Sequence, residues 1–212
     1  MEHKKLVTNS PEEYKTIARS IMLCLILAVV DQITKDAVVD SIPKYSKVTV
    51  IPGFFDLTYI TNPGAAFSIM EGKGILLLTI SMTVIVAMII FFRKLCDGWR
   101  ERYYALLLVV SGILGNSYDR IFRSSYGKFC DGQVVDFLSF HIGDIPWAVW
   151  PSFNVADTAI CVGVGLFILS NFIRPESEKK QCRKKICMIL WGMRAVCPSS
   201  WDPLRPENHL LP

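Results

Sequence analysis

The sequence predicts an all-α membrane protein with four transmembrane helices plus a small extracytoplasmic β element. Charge is scarce in its 212 residues: 20% are charged and 51% hydrophobic, with a mean hydropathy of +0.36, whereas a soluble domain carries about 25% charge. The apolar residues gather into four runs, each near the ~20 residues a helix needs to cross ~30 Å of hydrocarbon. Basic residues also sort by position, 16 of the 23 falling before the first run, between the second and third, or after the fourth. The net charge of +4 is therefore a membrane-edge surplus. No nucleic-acid motif accompanies it, and nucleic acid is not an expected partner.

The first span, about 17–39, follows Lys15 and includes Arg19, runs apolar from Ile21 to Val30 and continues in helical pattern past Asp31 and Lys35. Its far end is too polar for a cleaved secretory signal and no small-residue cleavage pattern follows, so the span is expected to be retained. The second span, 74–92, is almost wholly apolar and stops at Arg93-Lys94. The third, 103–122, starts apolar and turns polar at Gly115-Asn116-Ser117-Tyr118-Asp119-Arg120. The fourth, 154–173, opens with Asp157 and closes on Arg174-Pro175. Four spans put both termini on one side, and the positive-inside rule makes that side cytoplasmic, with segments 40–73 and 123–153 facing outward. Lys47 to Ile60 is rich in Val, Ile, Phe, Tyr and Thr around the turn Pro52-Gly53, which predicts two short strands. Residues 1–175 form the membrane domain on this reading. Residues 176–212 form a basic cytoplasmic tail without an assigned function, in which Ile186 to Val196 is a candidate interfacial helix.

An ionisable side chain in a spanning helix costs roughly 2.5–3.5 kcal/mol on insertion scales, so each one is a functional candidate. Asp31 and Lys35 are four apart on one face of the first span, which suits a helical ion pair. They are either a structural pair reaching for the outer surface or part of a site. Asn116, Asp119 and Arg120 close the third span. Arg120 could hold a carboxylate or phosphate through two parallel hydrogen bonds, with a structural helix-end network as the alternative. Asp136 lies in the apolar run Val134-Val135-Asp136-Phe137-Leu138, and Asp157 in the first turn of the fourth span behind Asn154. Both stand where the chain is expected to re-enter the membrane. Alone, Asp157 would be a carboxylate complementing the helix dipole and Asp136 a loop residue. Together, with 20 residues between them bounded by apolar stretches, they can meet at one membrane-embedded site.

Two carboxyls a few ångströms apart in low dielectric share a proton near neutral pH. One then serves as base and the other as acid, as in the aspartic proteases. No Ser/His/Asp set competes, because His3 and His209 lie near the tails and His141 in the outer loop; neither a His-based triad nor a multi-His zinc site is supported. The seven cysteines show no metal-like pairing and read mostly as small apolar fillers. No metal or cofactor is expected. A small ion carrier would also embed carboxylates, but near the bilayer midplane, whereas these acids crowd the outer boundary. A non-catalytic scaffold gives no reason for two separate Asp residues at one membrane face.

Asp31-Gln32-Ile33-Thr34-Lys35, Asn62-Pro63-Gly64-Ala65-Ala66-Phe67, Gly115-Asn116-Ser117-Tyr118-Asp119-Arg120, Val134-Val135-Asp136-Phe137 and Phe153-Asn154-Val155-Ala156-Asp157 occur in that order. They resemble five motif blocks of the bacterial lipoprotein signal peptidases (signal peptidase II), over about Ser20 to Ile173. The resemblance implies an aspartic endopeptidase of the bacterial inner membrane, with its active site near the extracytoplasmic face and Asp136 and Asp157 as the catalytic pair. It implies further that Asn62, Asn116, Arg120 and Asn154 line the substrate site and that Asp31 and Lys35 support it; Asp119 is expected to be structural. The implied substrate is a lipid-modified prolipoprotein cut just before its diacylglyceryl-modified cysteine, by a monomer in contact with membrane lipid. The stretch Arg123 to Gln133 is longer and more polar than its counterpart in the family, and the tail from Gln181 has no counterpart there.

Overall fold

The computed structural model describes residues 6–62, 74–123, 133–143, 145 and 148–173. In chain order these form α1 (Pro11–Ser41), β1 (Lys47–Ile51), β2 (Phe55–Asn62), α2 (Gly74–Cys96), α3 (Arg100–Phe122), β3 (Val134–Phe140) and α4 (Val155–Ile173). All four helices are long and apolar enough to cross a membrane. Cys130 and the tail from 176, including Ile186 to Val196, lie outside the described residues.

The helix ends differ from the apolar runs for local reasons. α1 starts six residues before the expected position 17 because Ser10 caps it: the Glu13 N–H donates to Ser10 Oγ at 3.2 Å and Pro11 takes the first helical position, where a missing N–H is harmless. Glu13 is itself buried and accepts the Tyr103 hydroxyl of α3 at 2.6 Å, which ties the added turn to the bundle. α2 runs through Arg93-Lys94 to Cys96, since cations in a last turn complement the dipole and do not end a helix. What ends it is Asp97-Gly98, both at positive φ (46° and 75°), a reversal that stops helical propagation.

α3 is the hub of the bundle and packs on α4, α1 and α2. Between lipid-exposed helices the hydrophobic effect offers little, so close approach and interhelical hydrogen bonds must hold them. Small residues allow that approach. A methyl group at Gly112 would stand 2.2 Å from the Ala156 carbonyl oxygen of α4, and one at Gly115 would stand 2.6 Å from a carboxylate oxygen of Asp31 on α1. In the most apolar 18-residue window of α2, by contrast, no residue is buried within the protein. That agrees with a sequence apolar on every side and with lipid as its main neighbour.

The sheet has three strands where the sequence pattern indicates two. β1 and β2 form the expected antiparallel hairpin around Gly53, and β3 adds antiparallel to β2, giving the order β1-β2-β3. β3 is hidden in the sequence because Val134, Val135, Asp136 and Phe137 are all buried, so the alternation of a half-buried strand is missing and the run reads as an approach to the membrane. Asp136 therefore sits on a strand of the sheet and not on a re-entrant segment. Val135 and Phe137 pack with Val38 and Ile42 at the end of α1, and with the partly buried Leu57, Tyr59 and Val155. This cluster seats the sheet on the ends of α1 and α4.

Candidate active site

α4 begins with a reciprocal cap. The Asp157 N–H donates to Asn154 Oδ1 at 2.9 Å, and the Asn154 N–H donates to Asp157 Oδ2 at 3.3 Å. This is the capping-box arrangement with Asn and Asp as its members, and it fixes Asp157 at the helix N-terminus, where a carboxylate complements the dipole. The same Asn154 reaches across to β3, its Nδ2 donating to Asp136 Oδ1 at 2.7 Å. One buried residue thus bonds both carboxylates, Asp136 through its side-chain amide and Asp157 through its backbone N–H. The remaining oxygens are also engaged: Asn62 Nδ2 donates to Asp136 Oδ2 at 3.2 Å, and Asn116 Nδ2 to Asp157 Oδ1 at 2.8 Å. Arg120, half-buried, donates Nη1 to the Asn116 carbonyl at 3.1 Å and lies in the field of Asp157, Asp119 and Asp136. The two acids and the four residues expected to line the substrate site are therefore brought together.

A second polar layer lies behind them. Lys35 is fully buried, with Nζ at 2.8 Å from Asp31 Oδ2, 2.8 Å from Asp119 Oδ2 and 3.1 Å from Asn116 Oδ1, so all three ammonium hydrogens have acceptors. The Asp31–Lys35 pair does form, but inside the bundle; the alternative of a pair reaching for the outer surface is overturned. Asp31 Oδ1 accepts the Ala156 N–H at 2.9 Å, one of the orphan donors in the first turn of α4. Asp119 accepts the Val135 N–H at 3.3 Å on Oδ2 and Arg123 Nε at 2.9 Å on Oδ1. Asp31, Lys35 and Asp119 thus hold the ends of α4 and β3 on which the two acids stand.

Burial, then the neighbouring charge of Asp157, pushes the Asp136 carboxyl up to about 7, against the opposing pull of the Asn62 and Asn154 hydrogen bonds and of Lys35. A carboxyl held there can gain or lose a proton near neutral pH. His141 stands against Asp56 on the sheet, 3.2 Å away. Among the described residues no group of three or more His, Cys, Asp or Glu side chains could hold a metal ion. Of the Asn62 to Phe67 motif block only Asn62 is described; 63–73 lie outside the described residues.

Sequence reasoning missed three contributors. Gly112 and Gly115 set the helix spacing, and nothing in a single apolar span distinguishes a contact glycine from an incidental one. Arg123 was readable as the i+4 partner of Asp119, but it stands just past the end of its span.

The family described as signal peptidase (SPase) II matches residues 23–173, a region that holds every residue of the site. This chain belongs to the signal peptidase II family. The lipoprotein signal peptidases of Clostridium acetobutylicum and Syntrophus aciditrophicus are each 38% identical to it, over 160 and 170 residues; the matches cover 76% of this chain and 96% and 98% of those relatives. A bacterial membrane enzyme solved by the in meso method superposes with a TM-score of 0.63 at 28% identity, over 84% of this chain and 98% of that one. The four-helix bundle with its small sheet is thus an architecture that this signal peptidase II member shares with a solved membrane enzyme.

Proposed function

We propose that this chain removes the signal peptide from prolipoproteins as a membrane aspartic endopeptidase, cutting before the diacylglyceryl-modified cysteine, with Asp136 and Asp157 as its catalytic pair. The observation that carries the assignment is Asn154, which caps Asp157 and donates to Asp136 at once. The shared proton rests on Asp136 near neutral pH. Asp157 then takes a proton from a water molecule held between the carboxyls, the water oxygen attacks the scissile carbonyl carbon, and Asp136 donates to the carbonyl oxygen. Collapse of the tetrahedral intermediate returns a proton to the leaving amine as the roles reverse. Asn62, Asn116 and Asn154 hold the carboxyls in orientation, and the charge of Arg120 balances the single negative charge of a one-proton pair. The apolar helix surfaces around these few polar groups suit the acyl chains of the substrate and shield the pair from bulk water. All of these groups belong to 1–175 of one chain, so a monomer suffices.

The test is purified protein in detergent with a diacylated prolipoprotein peptide, scored by mass spectrometry. Cleavage at the bond before the lipidated cysteine is expected, undiminished by EDTA or by thiol- and serine-directed reagents. Loss in EDTA restored by zinc would overturn the aspartic mechanism.

The orientation proposed places both termini and the 176–212 tail in the cytoplasm of a bacterial cell and the pair near the extracytoplasmic face of its inner membrane. Its support is the side-sorting of 16 of the 23 basic residues together with the position of the pair at the sheet end of the bundle. Val7 and Tyr45 are 70% and 71% exposed near opposite ends of α1. In a cysteine-free background on intact spheroplasts, a membrane-impermeant thiol reagent should label Tyr45→Cys and spare Val7→Cys; the reverse pattern would invert the topology.

A further inference from the structure

Arg123 is the first residue beyond α3, and its backbone N–H closes that helix on the Asp119 carbonyl at 2.9 Å. Its guanidinium is only 19% exposed and works in two directions. Toward α1, Nη2 reaches Asp36 Oδ1 and, at 3.3 Å, Gln32 Oε1, residues one helical turn apart. Toward α3, Nε donates to Asp119 Oδ1 at 2.9 Å. Asp119 is fully buried, and its other oxygen accepts the Val135 N–H. The Val135 carbonyl in turn accepts Asn154 Nδ2 at 3.2 Å. The peptide unit on either side of Val135 is thus gripped by Asp119 and by Asn154, and the next residue is Asp136. The β2–β3 register is irregular between Leu57 and Ile60, the residue paired with Asp136, so the ladder alone fixes this part of the strand less firmly.

Charge points the same way. Two buried carboxylates, Asp31 and Asp119, face a single buried ammonium, Lys35; Arg123 brings a second cation to Asp119, which it shares with the exposed Asp36. Removing one partner of a buried charge set leaves the other uncompensated, here behind the pair. We propose that Arg123 is a positioning residue for peptide cleavage, acting through Asp119 and the Val135 peptide on the placement of Asp136. This role rests on the assignment of Asp136 and Asp157 as the catalytic pair. A fork that bonds Asp119, Asp36 and Gln32 together is guanidinium geometry, which an ammonium reproduces in charge but not in shape.

The experiment compares kcat and KM of the wild type, Arg123→Gln and Arg123→Lys on the diacylated peptide between pH 5 and 9. The ionisable groups that face Asp119 and the pair are Asp31, Lys35 and Asp36 from α1, Arg120 from α3, Asp136 from β3 and Asp157 from α4. All of them remain in both variants. Arg123→Gln should lose about tenfold in kcat, the scale of a sub-ångström misplacement of a reacting group, with KM within about twofold. Both limbs of its pH profile should move upward, because an added negative charge disfavours ionisation of the pair. Arg123→Lys should leave the limbs in place and recover part of kcat. Wild-type kcat and unmoved limbs in Arg123→Gln, or an effect confined to KM, would overturn the role. If Arg123→Gln does not fold, Arg123→Lys decides: reduced kcat at unchanged KM upholds positioning, and wild-type kcat removes it. A wild type that leaves the peptide uncut would overturn the activity and this role together, whereas a fast wild type matched by a fast Arg123→Gln overturns this role alone.

Discussion

Asp136→Asn and Asp157→Asn should each lower kcat on the lipidated peptide by about 10³-fold or more while the protein still inserts and folds. An amide cannot pass the proton that activates water and later releases the amine, and general acid–base catalysis of this kind contributes roughly 10²–10⁴-fold for each participant. The fold should survive because an amide at either position keeps one oxygen as an acceptor for Asn154 or Asn116. Stability offers an independent reading for Asp136. Its carboxyl is held up at about 7 by burial and by Asp157, well above the ~3.9 of an unfolded chain. The sign follows from linkage: the contribution of this group is fully present below about pH 4 and is lost as pH rises through about 7, where the folded protein must ionise a buried acid. Asp136→Asn has no such group to ionise. Its Tm should therefore fall less than that of the wild type between pH 6 and pH 8.5, and at the higher pH it should be the more stable protein by a few degrees. An active Asp136→Asn variant would remove the residue from the mechanism. If Asp119→Asn were dead and Asp136→Asn active, the roles assigned to the two acids would have to be exchanged.

Lys35→Met should be the most destabilising single change in the bundle. The methionine fills most of the space of the lysine stem, so the loss is of charge and hydrogen bonds more than of volume. Asp31, Asp119 and Asn116 lose their common donor, and two buried carboxylates are left beside one remaining cation. Breaking a buried ion pair from one side costs about 3–5 kcal/mol. Thermal unfolding in detergent should show a Tm many degrees lower, or no folded protein at all. Lys35→Arg should not rescue it, because the cavity accepts a compact three-donor point charge and not a planar fork. Combining Lys35→Met with Asp119→Asn should recover part of the loss, since the second change removes one stranded charge. A wild-type Tm in Lys35→Met would show that the network carries no stability.

The sequence by itself determined the four spans, the division of basic residues between their ends and the identity of the acids. Each of these is a local property. A helix in lipid must satisfy its own backbone and cover its length with apolar side chains, so the spans are written as runs. The motif residues stand out because polar groups among such runs are costly. Helix ends were less legible, since the cap at Ser10 and the reversal at Asp97-Gly98 lie beyond the apolar pattern. The tertiary structure decided what those residues do to one another. Val134 to Phe137 looks alike as a membrane-approaching run and as a strand buried on both faces, and only its pairing with β2 makes it β3. Lys35 at i+4 from Asp31 fits a surface pair as well as a buried hub, and only Asp119 and Asn116 arriving from α3 distinguish the two. Asp31 accepts a first-turn N–H of α4 from Ala156, 125 positions later in the chain, and Asn154 joins two acids that stand on different elements. Such contacts are chosen by how helices and strands pack. Periodicity along a chain records which face of an element is apolar, but not which neighbour that face will meet.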